Sequence, residues 1–125
     1  MRSSELQVMD ISSLKAVIKD LQSKIIPSRF EKAQQPESNT LQIGLRTLKG
    51  LIWLEFCWSG STARLVEINS PLKIGAKSTL AQQIQHGLKN LTLVSINQKG
   101  FERIVQLAFA KRPGDPVLKF ITLEL

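Results

Sequence analysis

TLQIGLRTLKGLIWLEFCWSGSTARLVEI, residues 40–68, holds the pattern that decides the fold. Leu41, Ile43 and Leu45 alternate with Gln42 and Gly44, the period-two spacing of a half-buried strand. Leu48, Lys49 and Gly50 then read as a turn, LIWLEFCW (51–58) as a strongly apolar second strand, and ARLVEI (63–68) as a third after a Gly60-Ser61 turn. Short strands joined by short turns predict a meander. Trp53 and Trp58 lie inside the apolar run, where large aromatics serve as core and not as base-stacking surfaces. Cys57 shares that packing environment and, as the only cysteine, reads as a buried thiol with no internal disulfide.

On the N-terminal side, Ile11, Leu14, Ile18, Leu21 and Ile25 recur at spacings of three and four, which predicts one apolar helix face over residues 11–25. Asp10 or Ser12 can cap its first amides, and Pro27 stops it. Lys15, Lys19 and Lys24, broken by Asp20, form its solvated side. Pro36, Glu37, Ser38 and Asn39 mark a loop before the meander. On the C-terminal side, Ser78 or Thr79 caps a second helix whose apolar face holds Leu80, Ile84 and Leu88 and whose polar side holds Gln82, Gln83, Gln85, His86 and Lys89. Strands then resume as LVSINQ (93–98), RIVQLAFA (103–110) and VLKFITLEL (117–125), the last two joined by the Pro113-Gly114 turn. The expected order is helix, three strands, helix, three strands. FITLEL ends within a strand pattern, so the chain is expected to be a fragment or a short relative of a longer protein.

A chain of 125 residues fits one domain, and no apolar run approaches the roughly 18 residues of a membrane span. MRSSELQVMD has neither the apolar core of a secretory signal nor the acid-poor composition of a transit peptide. A cytoplasmic location without a membrane partner is expected. Seventeen basic residues against ten acidic ones give a charge of +7, which favours a polyanionic partner such as nucleic acid.

Catalytic patterns are sparse. One histidine and one cysteine cannot supply the usual zinc sets, and neither sits in a nucleophile signature. KIGAKST (73–79) lacks the two-glycine frame of a phosphate loop. No metal, cofactor or enzymatic activity is expected. Acids such as Asp10 and Glu102 could still act together in three dimensions, which keeps an enzyme among the alternatives.

Several blocks in order carry a family resemblance: MDISSLKAVIKDLQ (9–22), RFEKAQQPESNTLQIGLRTLKG (29–50), AQQIQHGLKNLTLVSINQKGFERIVQLAF (81–109) and the final strand. Over residues 9–125 the chain resembles the N-terminal domain of the NFACT family, the ribosome-associated quality-control group that includes NEMF and RqcH and is also called fibronectin-binding-protein-A-like. The resemblance implies an α+β domain related to the N-terminal domain of MutM-type glycosylases, a mostly antiparallel β-sandwich flanked by two helices. It places that domain at residues 10–125, cut within its last strand, with 1–9 as a flexible extension. Such glycosylases use an N-terminal proline, whereas this chain begins Met1-Arg2, so base excision is not expected.

The implied role is binding to tRNA and to the large ribosomal subunit carrying a stalled peptidyl-tRNA, in support of untemplated tailing of the nascent chain. The family's signature, an aspartate at the start of the first helix and an Asp-Arg pair after the second helix and its strand, falls on Asp10 and on Glu102-Arg103. An arginine held by a carboxylate keeps its planar fork oriented toward phosphate or a base edge. Glutamate at 102 departs from the family's aspartate by one methylene. The family's basic Leu-Arg-Lys-His stretch reads Ile84-Gln85-His86-Gly87 here, with Lys89, Lys99, Lys111 and Arg112 as the expected compensating contacts to the RNA backbone. Two alternatives stand beside this reading: a glycosylase-related enzyme acting on RNA or damaged bases, and a protein-interaction or adhesion module.

Overall fold

The computed structural model describes residues 10–58, 63–69, 71 and 78–125. The expected extension at 1–9, the Gly60-Ser61 turn and most of KIGAKST lie outside them. In α1 (Ile11–Ile25), Asp10 is the cap: its Oδ1 accepts from the Ser13 amide at 2.7 Å. Leu14, Ile18, Leu21 and Ile25 are buried on the predicted face. That face packs on strands from both halves of the sheet.

The strands are β1 (Ser28–Glu37), β2 (Thr40–Thr47), β3 (Gly50–Cys57), β4 (Arg64–Ile68), β5 (Thr92–Gln98), β6 (Ile104–Ala110) and β7 (Val117–Glu124), with α2 (Thr79–Gly87) between β4 and β5. All pair antiparallel, in the order β4-β3-β2-β1-β5-β6-β7. The α+β class, the two helices and the antiparallel pairing stand as expected, and the expected sandwich takes the form of one hydrogen-bonded sheet in two halves. Ser28↔Leu93 and Arg29↔Thr92 pair the halves, and the Phe30 amide adds a bond to the Leu91 carbonyl at 3.0 Å. Beyond that joint β1 runs one way and β5 the other.

β1 corrects the sequence reading, which ended a helix at Pro27 and found no strand before residue 40. SRFEKAQQPE offers one large apolar residue, Phe30, and two register shifts interrupt its pairing with β2. It is nevertheless central. Its neighbour β2 is buried from Thr40 to Leu45. On one face Ile43, Leu45, Leu54 and Phe56 join the α1 core. On the other, Gln34, Gln42, Glu55 and Arg64 form a hydrogen-bonded row across four strands, ending in a 2.6 Å Arg64–Glu55 ion pair. Trp53 is only 8% exposed on this face because its ring lies over Gly44, where a Cβ would meet it at 3.1 Å. A side chain there would have to push the Trp53 ring aside, so close approach favours glycine.

α2 also differs in its seating. Ser78 caps it, accepting from the Ala81 amide at 3.0 Å, as expected. Ala81 and Leu88 are buried and Ile84 is partly buried, but Leu80 is exposed. The small Ala81 and the polar Gln85 one turn later form the row that meets β1. Gln85 Oε1 accepts from the Ala33 amide at 2.9 Å and its Nε2 donates to the Glu31 carbonyl at 2.9 Å. These are the bonds that a neighbouring strand would make, and β5 has already left β1 at that point.

Candidate nucleic-acid interface

The turn between β5 and β6, residues 99–103, carries Glu102 and Arg103. Gly100 supplies its left-handed step, with φ +59°. The Lys99 amide donates to the Ile104 carbonyl at 2.9 Å, and the Glu102 amide donates to the Lys99 carbonyl at 3.3 Å. Beneath them the Gln98 amide nitrogen reaches the carbonyls of Lys99, Gly100 and Glu102 at 2.9, 2.7 and 2.6 Å. The Arg103 carbonyl accepts from the Leu125 amide at 2.8 Å, which ties the turn to the end of β7. The backbone of this turn is therefore fixed, while the Glu102 side chain is exposed and that of Arg103 half-buried.

α1 runs along β5 in the opposite direction. Gln22 Nε2 donates to the Ile96 carbonyl at 2.8 Å, and two turns earlier Lys15 Nζ stands 5.6 Å from the centre of the Phe101 ring. The N-terminal end of α1, with Asp10, thus lies at the end of β5 that carries Lys99, Glu102 and Arg103. The structure brings these sequence-predicted residues to one end of the sheet. Among the described residues, however, no ion pair links Arg103 to Glu102 or to Asp10, and the Asp10 carboxylate is engaged by Ser13. Orientation at this site comes from the pinned backbone and not from a carboxylate clamp.

Hydrogen bonds from the Ser13 amide and then its hydroxyl hold the Asp10 carboxyl below its ordinary value. A depressed folded-state value means that the cap stabilises at neutral pH and is lost as pH falls through that value. The melting-temperature gap between the wild-type chain and Asp10→Asn is accordingly expected to be widest near neutrality and to shrink as pH falls below the ordinary carboxylate range toward the depressed folded-state value. A gap that persists unchanged in acid would show that the charge plays no part.

Lys89, Lys111 and Arg112 lie elsewhere. Successive turns of an antiparallel meander alternate between its ends, and the pairing of Thr92 with Ala110 puts these three at the start of β5, about 20 Å of strand away from Lys99. There they join two residues that the sequence reading did not find, Arg29 and Arg46, directly opposite each other in register. Glu31 holds Arg46 through two 3.1 Å bonds, and Arg29 reaches Asn90 Oδ1 at 3.4 Å. Arg112 pairs with Asp115 at 3.5 Å. Finding Arg29 required recognising β1, whose only local signal is the Ser28/Phe30 alternation. Among the described residues no three His, Cys, Asp or Glu side chains gather as a metal site requires, and no helix is long and apolar enough to cross a membrane.

The family of NFACT N-terminal and middle domains matches residues 10–125. The chain belongs to the NFACT family. None of the curated proteins matches it in sequence. Among solved structures, the fibrinogen-binding protein of Staphylococcus aureus aligns with a TM-score of 0.72 at 19% identity, over 90% of this chain and 41% of that one. The N-terminal domain of the fibronectin-binding protein PavA of Streptococcus pneumoniae gives 0.72 at 19%, over 87% and 42%. The N-terminal part of the fibronectin/fibrinogen-binding protein of Streptococcus suis gives 0.70 at 15%, over 85% and 39%. At these identities the likeness is one of fold, and this NFACT chain spans about two-fifths of each of those structures.

Proposed function

We propose that this chain is the tRNA- and large-ribosomal-subunit-binding module of a ribosome-associated quality-control factor, acting in the cytoplasm on stalled peptidyl-tRNA complexes. Within a longer protein it supports untemplated tailing of the nascent chain. It acts as a binder, with no catalytic step and no cofactor of its own. The observation that carries the reading is the meeting of Asp10, Lys99, Glu102 and Arg103 at one end of an NFACT fold whose net charge is +7. The second basic surface around Arg29 and Arg46 adds phosphate-binding capacity at a distance that an extended RNA can span.

Arg103→Ala tests this. The substitution leaves the main-chain bond from Leu125 intact, so the melting temperature is expected to hold, while affinity for tRNA falls about tenfold, the loss of one guanidinium contact. Filter binding across a salt series measures it, and wild-type binding is expected to weaken steeply as salt rises. Loss of folding in Arg103→Ala, or unchanged affinity, defeats this assignment. A protein-binding reading draws on a separate observation: edge strand β7 exposes Val117, Leu118 and Phe120, and the solved neighbours are named for fibrinogen and fibronectin binding. Fibronectin binding retained by Arg103→Ala, with no tRNA binding in the wild-type chain, would favour it.

A further inference from the structure

Phe101 projects from the tip of the β5–β6 turn with 86% of its surface exposed. Single exposed apolar side chains are ordinary on protein surfaces, so exposure alone assigns nothing. What distinguishes Phe101 is its setting. The turn beneath it is held by the three contacts from Gln98, by the left-handed Gly100 and by the Lys99–Ile104 bond, so the ring is carried on a backbone that loses little freedom when something binds. Lys15 lies over the ring at 5.6 Å, and Lys99 and Arg103 flank it two residues to either side. An aromatic face among cations has the makeup of a single-strand nucleic-acid site, in which a base stacks on the ring and the cations take the adjoining phosphates.

We propose that Phe101 is a stacking platform for an unpaired nucleobase, with Lys15, Lys99 and Arg103 receiving the phosphates on either side of that base. Lys15 occupies one side of the ring and leaves the other open to the base. The ligand class is a single-stranded or loop segment of RNA, because the base faces of an A-form duplex are stacked inside it and out of reach of a side chain. The inference rests on the RNA-binding reading above and narrows it from RNA in general to an unpaired base at one residue.

The test is a titration of the full chain with a fluorescein-labelled single-stranded oligoadenylate and, in parallel, with a blunt RNA duplex. Phe101→Ala is expected to weaken binding of the single strand by roughly 5- to 100-fold, with an unchanged slope of log affinity against log salt and an unchanged affinity for the duplex. Phe101→Leu, which keeps apolar bulk and removes the π-face, is expected to behave like the alanine variant, and Phe101→Trp to retain binding. Wild-type affinity in Phe101→Ala together with a loss in Arg103→Ala overturns the stacking platform, leaves the RNA reading standing and points to a protein contact for the ring. Full binding by Phe101→Leu overturns stacking as the cause. Failure of the wild-type chain to bind either RNA overturns both readings.

Discussion

Phe109→Ala is expected to lower folding stability by about 3–5 kcal/mol, the cost of emptying a fully enclosed aromatic site. Phe109 on β6 has no exposed surface, and its ring meets Phe30 of β1 edge to face, with centres 6.4 Å apart and planes at 86°. The pair matters because of where it lies. Among the described residues the two halves share backbone bonds only over the short stretch Ser28, Arg29 and Phe30, so their cohesion depends on side chains that cross the joint: α1 packed on both halves, and Phe30 against Phe109. Truncation removes the ring contact and leaves a cavity that β-branched and leucine neighbours, fixed in register, cannot close. Urea unfolding of the variant against the wild type measures the loss through the midpoint. A domain of this size has about 5–15 kcal/mol in total, so the shift is large and unmistakable. Phe120→Ala serves as control: Phe120 is 59% exposed on edge strand β7, and its truncation is expected to stay within about 0.5 kcal/mol. A loss below about 1 kcal/mol for Phe109→Ala would mean that the halves are held together by other contacts.

The elements that carry a strong apolar pattern of their own were legible in the sequence. α1 shows its stripe, β2 and β3 show alternation and an apolar run around a turn, and β5 to β7 show strands separated by turn residues. β1 was not legible, because its stability comes from neighbours and not from its own residues: β2 on one side, and on the other a short stretch of β5 followed by a glutamine side chain. On α2 the expected Ile84 and Leu88 do meet the core, and only Leu80 departs, for a related reason. Periodicity adds Leu80 to that face, whereas the helix buries the small Ala81 and sets the hydrogen-bonding Gln85 against β1. At the candidate site, Asp10 and Glu102-Arg103 came from family motifs, and the fold accounts for their meeting through the antiparallel run of α1 along β5. The separation of Lys111 and Arg112 from Lys99 follows from the alternation of turns in a meander, a consequence of topology that residue spacing along the chain conceals.

Gln85→Ala is expected to lower stability by about 2–3 kcal/mol, since it leaves the Ala33 amide and the Glu31 carbonyl without their partner in a partly buried place. The more specific readout is hydrogen exchange: the Ala33 amide is expected to lose protection in the variant while amides of β6 keep theirs. Two further substitutions separate the roles of the side chain's ends. Gln85→Glu keeps an acceptor for Ala33 but sets a carboxylate against the Glu31 carbonyl. Gln85→Arg keeps donors for Glu31 and loses the acceptor for Ala33. Both are expected to destabilise, because the amide alone carries a donor and an acceptor side by side, as a peptide group does. A neutral Gln85→Arg would mean that β1 needs no cover on this edge; His86→Ala, an exposed neighbour on the same helix, is expected to be neutral in any case. This gives a structural reason for glutamine at 85, where the family resemblance implies a basic residue. A charged side chain at 85 would be drawn to solvent or to RNA, whereas here the position is committed to completing β1. On the RNA-binding reading proposed above, contact with RNA is assigned to residues whose backbone is already secured, those of the β5–β6 turn and of the Arg29–Arg46 row.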